Sequence, residues 1–436
     1  MDQSDVRKAL RYRWLVFGIM AVAYVFVYFH RQCPAVVAVD LQRAFQASAS
    51  LVGLMASAYF YPYACLQLPA GLLSDSLGPR LTTTLFLLIA VAGSILFGLA
   101  PNAGLAIAAR VMVGIGVAMV FIPTMKLLSQ WFRPNEFALM ASIVNIMGGV
   151  GVFLATRPLA LFSAWIGWRA SFQVIGVLTL VIAVLVWIIV RNRPQDMGWP
   201  AIAEIDRIDR GTAPPPQEIP LWEGVRRVVT EPLFWPLALW FALATGIFFS
   251  FAGLWAGPYL QHVYGMSKGE VGSVLSMIAL GLILGSPVMS FLSDRVLKSR
   301  KKVLMLSTAF LVGELIVLYM APAGLPGWTL YLVVFFLCVF AASVVPIAFT
   351  TTKELFPVQM AGTSVGTVNL FPFLGGALMQ VFLGKVLDAY PRSESGAYPL
   401  DAYSAVLGIL LVIAIAALAC TLVMKETFHT ATDPAD

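Results

Sequence analysis

The sequence predicts an all-α membrane protein: twelve transmembrane helices in two pseudo-symmetric six-helix bundles. Three observations lead there. The 436-residue chain is 60% apolar and 11% charged, with a mean hydropathy of +0.86, whereas an ordinary soluble domain carries about 25% charged residues. A soluble globular enzyme is excluded, and so is disorder, which needs low hydrophobicity and high net charge. The apolar residues fall in runs long enough to cross a hydrocarbon core roughly 30 Å thick. One long polar stretch, Arg191 to Arg227, divides those runs six and six.

The first six runs lie near 14–38, 51–74, 81–99, 103–131, 138–163 and 170–190. The charged start to Arg13 leads straight into Trp14–Phe29 with no short apolar core and small-residue cleavage site, so the first run is expected to be a retained helix. The polar stretch carries Pro214-Pro215-Pro216 and mixed charges and reads as a linker. Six more runs follow near 233–260, 270–293, 303–321, 328–350, 360–387 and 401–424. The expected organisation is therefore a bundle over 1–190, a linker over 191–232, a second bundle over 233–424 and a tail over 425–436.

The net charge of +6 is scattered through short loops, not clustered on one face as a nucleic-acid footprint requires, so no nucleic-acid partner is expected. Cys33, Cys65, Cys338 and Cys420 all sit in apolar runs without metal-ligand spacing, which argues against a disulfide framework or a metal site. No cofactor is expected. Cytoplasmic loops carry the lysine and arginine excess. Arg7, Lys8, Arg11, Arg13, Arg80, Arg133, the linker arginines, the Arg295–Lys302 cluster and Lys425 fall on one side of this threading, against Arg43, Arg169, Lys268 and Arg392 on the other. Both termini and the linker are expected in the cytoplasm.

The halves repeat. Gly71-Leu-Leu-Ser-Asp-Ser-Leu-Gly-Pro-Arg80 follows the second run, and Ser290-Phe-Leu-Ser-Asp-Arg-Val-Leu-Lys-Ser-Arg300 follows the eighth. Gln130-Trp-Phe-Arg-Pro, leading to Asn145 and Gly148-Gly149, is echoed by Glu354-Leu-Phe-Pro, leading to Asn369 and Gly375-Gly376. With these residues the chain resembles the major facilitator superfamily over nearly its whole length, the loop Gly71, Asp75, Gly78, Arg80 matching the family signature and Ser293-Asp294-Arg295 its degenerate second copy. The resemblance implies a transporter fold in which two six-helix bundles rock about a central site. An Asp at a helix end beside an Arg and a helix N-terminus can form a charge-assisted clasp between halves. Asp75, Arg80, Asp294 and Arg295 are the gating candidates; the alternative is a charged turn that fixes topology.

Buried charge in the runs is mainly positive: Arg31, Arg110, Lys126, Arg157, Lys353 and Lys385, against Glu314 with Glu354 and Asp388 near helix ends. A positive cavity suits an anion. Tyr24, Tyr28 and Arg31 share one face of the first helix, and Tyr59, Tyr63 and Gln67 one face of the second, by three- and four-residue spacing. Guanidinium binds carboxylate in a fork, and the tyrosines supply donors and walls or serve as packing and interfacial anchors. Arg110, followed by Gly114 and Gly116, resembles the family's fourth-helix arginine; it either holds helices together through backbone carbonyls or handles substrate or protons.

Arg31 with Arg110 is similar to the family's organic-anion branch, where arginines occupy both matching positions. The predicted substrate-binding set is Arg31, Tyr28, Tyr59, Tyr63, Arg110, Asn145, Lys353 and Asn369. Members of that branch often carry an Asp and a Glu where this chain has His30 and Val117. The coupling candidates that remain are His30, Glu314 and Glu354. The expected function is alternating-access transport of a small organic anion, a carboxylate foremost, by proton-coupled symport. Exchange or facilitation is the alternative, and a transporter-like receptor is the alternative of another class. A monomer in a bacterial inner membrane, surrounded by lipid, is expected; Arg157 and Lys126 are unassigned.

Overall fold

The computed structural model describes residues 3–205 and 221–428; the linker prolines 214–216 and the end of the tail lie outside them. Among the described residues every regular element is helical. Twelve helices are long and apolar enough to cross a membrane: α1 Ser4–Gln32, α2 Ala49–Gln67, α3 Pro79–Leu99, α4 Ala103–Trp131, α5 Asn135–Ile166, α6 Trp168–Ile189, α7 Phe234–Tyr264, α8 Lys268–Val296, α9 Arg300–Met320, α10 Gly327–Leu355, α11 Ala361–Asp388 and α12 Leu400–Val423. All twelve expected runs are present. Several helices extend past the apolar run that announces them, because their charged outer turns still hydrogen-bond along the helix.

Local chemistry sets the helix limits. Pro34 has no N–H to donate, so the first helix breaks at Cys33 and resumes as Pro34–Phe45. Ser48, Asn102, Ser267 and Ser299 each accept a backbone N–H of the first turn of the following helix, satisfying a donor that the helix cannot. In α7 the regular helix gives way to wider π-type turns over Phe241–Thr245 and Phe248–Trp255, a feature that tends to mark functional positions.

The first six helices form one half and the last six the other. The halves meet where α2 packs on α11, α5 on α8, and the Pro34–Phe45 segment on α7. The repeat maps α2 onto α8 and α5 onto α11, so the first two contacts exchange under it: this is the pseudo-twofold axis. An even number of spans puts the termini and the linker on one face, called here the terminal face; the other is the far face.

Candidate functional site

Arg31 stands where the halves meet. It is 7% exposed, and four rings surround its guanidinium carbon: Tyr28 at 4.5 Å, Tyr63 and Phe373 at 5.0 Å, and Phe249 at 5.8 Å. Two of these rings come from the first half and two from the second. Cation–π contacts of this kind reach about 2 kcal/mol when desolvated, yet rings accept no strong hydrogen bond, and Arg31 Nε has no partner among the described residues. The rings hold one another: Tyr59 stacks on Tyr63 at 5.6 Å, Tyr63 meets Phe373 edge-on at 4.7 Å and Phe249 stacks on Phe373 at 5.6 Å.

The other predicted site residues separate into those this cage includes and those it does not. Tyr59 is fully buried and donates its hydroxyl to the Val27 carbonyl at 3.2 Å. Asn369 lies one turn from Phe373 and donates to Gln67 Oε1 across the halves at 3.4 Å. Asn145 is exposed and one turn from Gly148, whose position abuts the Tyr28 ring. Arg110, 2% exposed, stands behind the cage and gives both Nη groups to the His30 carbonyl, at 3.0 and 3.1 Å. It braces α1 against α4 through a backbone carbonyl. Lys353 is exposed two residues from the terminal-face end of α10, away from the level of Arg31. The structure does not bring it to the cage, because a helix rises 1.5 Å per residue and its register puts this lysine in the last turn.

The coupling candidates are scattered. His30 is fully buried and neither ring nitrogen has a partner among the described residues. Both carboxyl oxygens of Glu314 likewise lack one, on α9 outside the cage. Glu354 is engaged at the terminal face, by Arg300 at 3.3 Å and the Thr427 hydroxyl at 2.6 Å.

The gating residues take partners within their own halves. Asp75 pairs with Lys126 of α4 at 2.6 Å, and Lys126 also donates to the Ser74 carbonyl at 3.0 Å. Arg80 donates to the Trp187 carbonyl at 2.9 Å and lies over that ring at 4.3 Å. Asp294 binds Arg300, and exposed Arg295 has no described partner. The clasp expected between the halves is therefore not made in this state, and the second motif works through Arg300. The reason is geometric: Arg300 opens α9 directly beside Ser293 and Asp294, whereas Arg295 is on the same turn as the acid.

Sequence reasoning missed how the far face closes. Asp388 at the end of α11 accepts the backbone N–H groups of Ala49 and Ser50 at 2.7 and 2.8 Å, and the Ser50 hydroxyl at 2.6 Å. A second-half carboxylate thus sits on the free donors at the N-terminus of first-half α2, where the helix dipole favours it. Asp40 pairs with Lys268 across the halves, and Gln32 donates to the Ala252 carbonyl at 2.7 Å. Backbones touch: a Cβ on Gly257 would lie 1.7 Å from the Ala35 carbonyl oxygen, and one on Gly384 would lie 2.7 Å from that of Ala49. Phe249 and Phe373 were missed as well, since an aromatic residue in an apolar run carries no mark of a site.

Comparison with known proteins agrees with this architecture. The Major Facilitator Superfamily profile matches residues 20–380. The chain is 24% identical over 419 residues to the hexuronate transporter of Escherichia coli (strain K12), covering 93% of each chain, and 22% identical to a probable hexose phosphate transport protein of Chlamydia pneumoniae, covering 89% of this chain and 88% of the other. In three dimensions it is similar to a bacterial homologue of the human lysosomal transporter Spinster, crystallised inward-facing and unoccupied, with a TM-score of 0.75, 19% identity, and coverage of 95% and 97%. With the profile covering most of its length, and with twelve spans related by a pseudo-twofold axis, the chain belongs to the Major Facilitator Superfamily.

Proposed function

We propose that the protein is a secondary transporter of a small organic anion, a carboxylate such as a hexuronate, working by alternating access as a proton-coupled symporter. The moving bodies are residues 1–190 and 233–424, with 191–232 linking them and the terminal face in the cytoplasm. The observation that carries this reading is the cage around Arg31: a buried cation, a free Nε, and walls taken from both halves. A carboxylate that docks there completes the guanidinium fork, and its skeleton packs on the rings. Because Phe249 and Phe373 belong to one half and Tyr28 and Tyr63 to the other, ligand binding couples to the relative position of the halves. Two relatives that carry anionic sugars by name, hexuronate and hexose phosphate, support the anion class. The loop charge bias supports the orientation. Of the coupling candidates, His30 adjoins Arg31 and has both ring nitrogens free, so it is assigned the proton.

Counterflow of radiolabelled D-glucuronate into liposomes holding the purified protein tests the reading. The wild type accumulates label. Arg31→Ala loses a charged hydrogen-bond partner, about 1.5–3 kcal/mol or roughly 10- to 150-fold in affinity, and Arg31→Lys is impaired too because a point charge lacks the fork. Normal counterflow in Arg31→Ala would make this arginine structural. An imposed inward proton gradient accelerates uptake under symport, and His30→Gln removes that acceleration; a rate indifferent to the gradient would point to exchange.

A further inference from the structure

On the far face, between the halves, lies a cavity of about 500 Å³ whose polar lining none of the contacts described above uses. Gln42, Arg43 and Gln46 reach it from the Pro34–Phe45 segment and its end; Gln261 and His262 reach it from the end of α7, and Arg392 from the loop before α12. Arg43 stands 12 residues beyond Arg31, about 18 Å at 1.5 Å per residue. The close Gly257 to Ala35 contact and the Gln32 hydrogen bond lie between them along the chain.

Several donors of the lining have no acceptor among the described residues. Gln42 is 5% exposed, and its Nε2 has no hydrogen-bond partner among the described residues. A buried donor left unmade costs about 1–3 kcal/mol, so the position calls for an acceptor. Exposed Arg43 forms no described ion pair or hydrogen bond. Arg392 gives Nε to the Tyr398 hydroxyl at 3.0 Å and reaches Asp388 at 3.5 Å, which leaves further guanidinium N–H groups. Two of the nearby carboxylates are already committed, Asp40 to Lys268 and Asp388 to Ala49, Ser50 and Tyr398; the third, Glu394, is exposed in the loop beside Ser395 and forms no described ion pair with either arginine. What remains is a set of guanidinium and amide donors around a space the size of a small molecule, and a ligand bearing several acceptor oxygens satisfies that set.

We propose that this far-face cavity is a second anion site, distinct from Arg31, that takes a small carboxylate or phosphate from the compartment it faces. Both halves line it, so the bound anion favours the closed far face, and closure in turn raises affinity.

Inorganic phosphate, titrated by calorimetry at constant ionic strength into the full-length protein in nanodiscs, tests the assignment. Arg31→Ala silences the cage, and saturable phosphate binding persists in that background. Adding Arg43→Gln weakens it roughly tenfold or more. Adding Gln42→Leu does the same without lowering the thermal midpoint of the unliganded protein, since it removes an unpaired buried amide and separates lost binding from lost folding. Adding Gly257→Val, which forces the far face apart at the Ala35 carbonyl without touching the lining, lowers the affinity through linkage. No saturable binding in Arg31→Ala, or binding that Arg43→Gln and Gln42→Leu leave intact, overturns the site; unchanged affinity with Gly257→Val overturns its coupling to closure.

Discussion

The two faces of the molecule bring its halves together by different means. On the far face the joints cross between halves: a carboxylate caps the partner's helix, an ion pair bridges Asp40 and Lys268, and glycine backbones touch. On the terminal face the described ion pairs stay within one half or within the linker. Asp75 holds Lys126, Arg13 holds Glu136 at 2.9 Å, and Arg300 gathers Asp294 and Glu354. The difference defines the state as closed on the far side. It also teaches that a repeated charged motif need not be a latch in every state; here its ion pairs join helices of the same half.

Three substitutions test this contrast. The largest effect is expected from Gly257→Val, because no side chain fits against the Ala35 carbonyl; overpacking of about 3 kcal/mol or more shifts the halves roughly 100-fold toward an open far face. Spin-label distances across the far face should lengthen and counterflow should collapse. Undiminished transport would show that the faces do not alternate about this contact. Asp388→Asn comes next. It removes charge-assisted hydrogen bonds worth about 1.5 kcal/mol, roughly tenfold in the same equilibrium, and the same distances should broaden, with Arg31-dependent affinity changing by no more than that factor. Asp75→Asn is the smallest. Its carboxylate is 72% exposed, and an exposed pair contributes less than about 1 kcal/mol, so the far-face distances should not move, and turnover should fall more than affinity. A large opening of the far face in this variant would erase the distinction between joints across halves and joints within them.

The legibility of these features in the sequence follows the range of the interactions that make them. Span number and the doubled halves were readable, since each depends on neighbours in the chain, through apolar run length and repeated loops; the break at Pro34, inside the expected run 14–38, and the caps at Ser48 and Ser267 were not singled out. Arg31 was readable as well, because a cation in an apolar run is costly enough to need a reason. Its cage was half legible. Tyr28 and Tyr63 announced themselves by spacing beside it, but Phe249 and Phe373 arrive from helices more than two hundred residues away. The repeat pointed to Asn369, which lies one turn from Phe373, whereas Lys353, picked for its charge in an apolar run, sits in the last turn of α10, a depth that depends on where that helix ends.

By itself the sequence determined what must be buried, what must stay wet, and that the chain folds twice over, because the hydrophobic period and the loop charges are local quantities. Tertiary structure decided which partners those residues take. Arg110 could have met substrate and instead holds the His30 carbonyl; Asp294 could have met Arg295 and instead takes Arg300; Asp388, a lone acid at a helix end, becomes the cap of a helix in the other half. Each of these choices turns on angstrom-scale positions of helix ends that pack against one another. Composition carries no information about such positions until the helices are assembled.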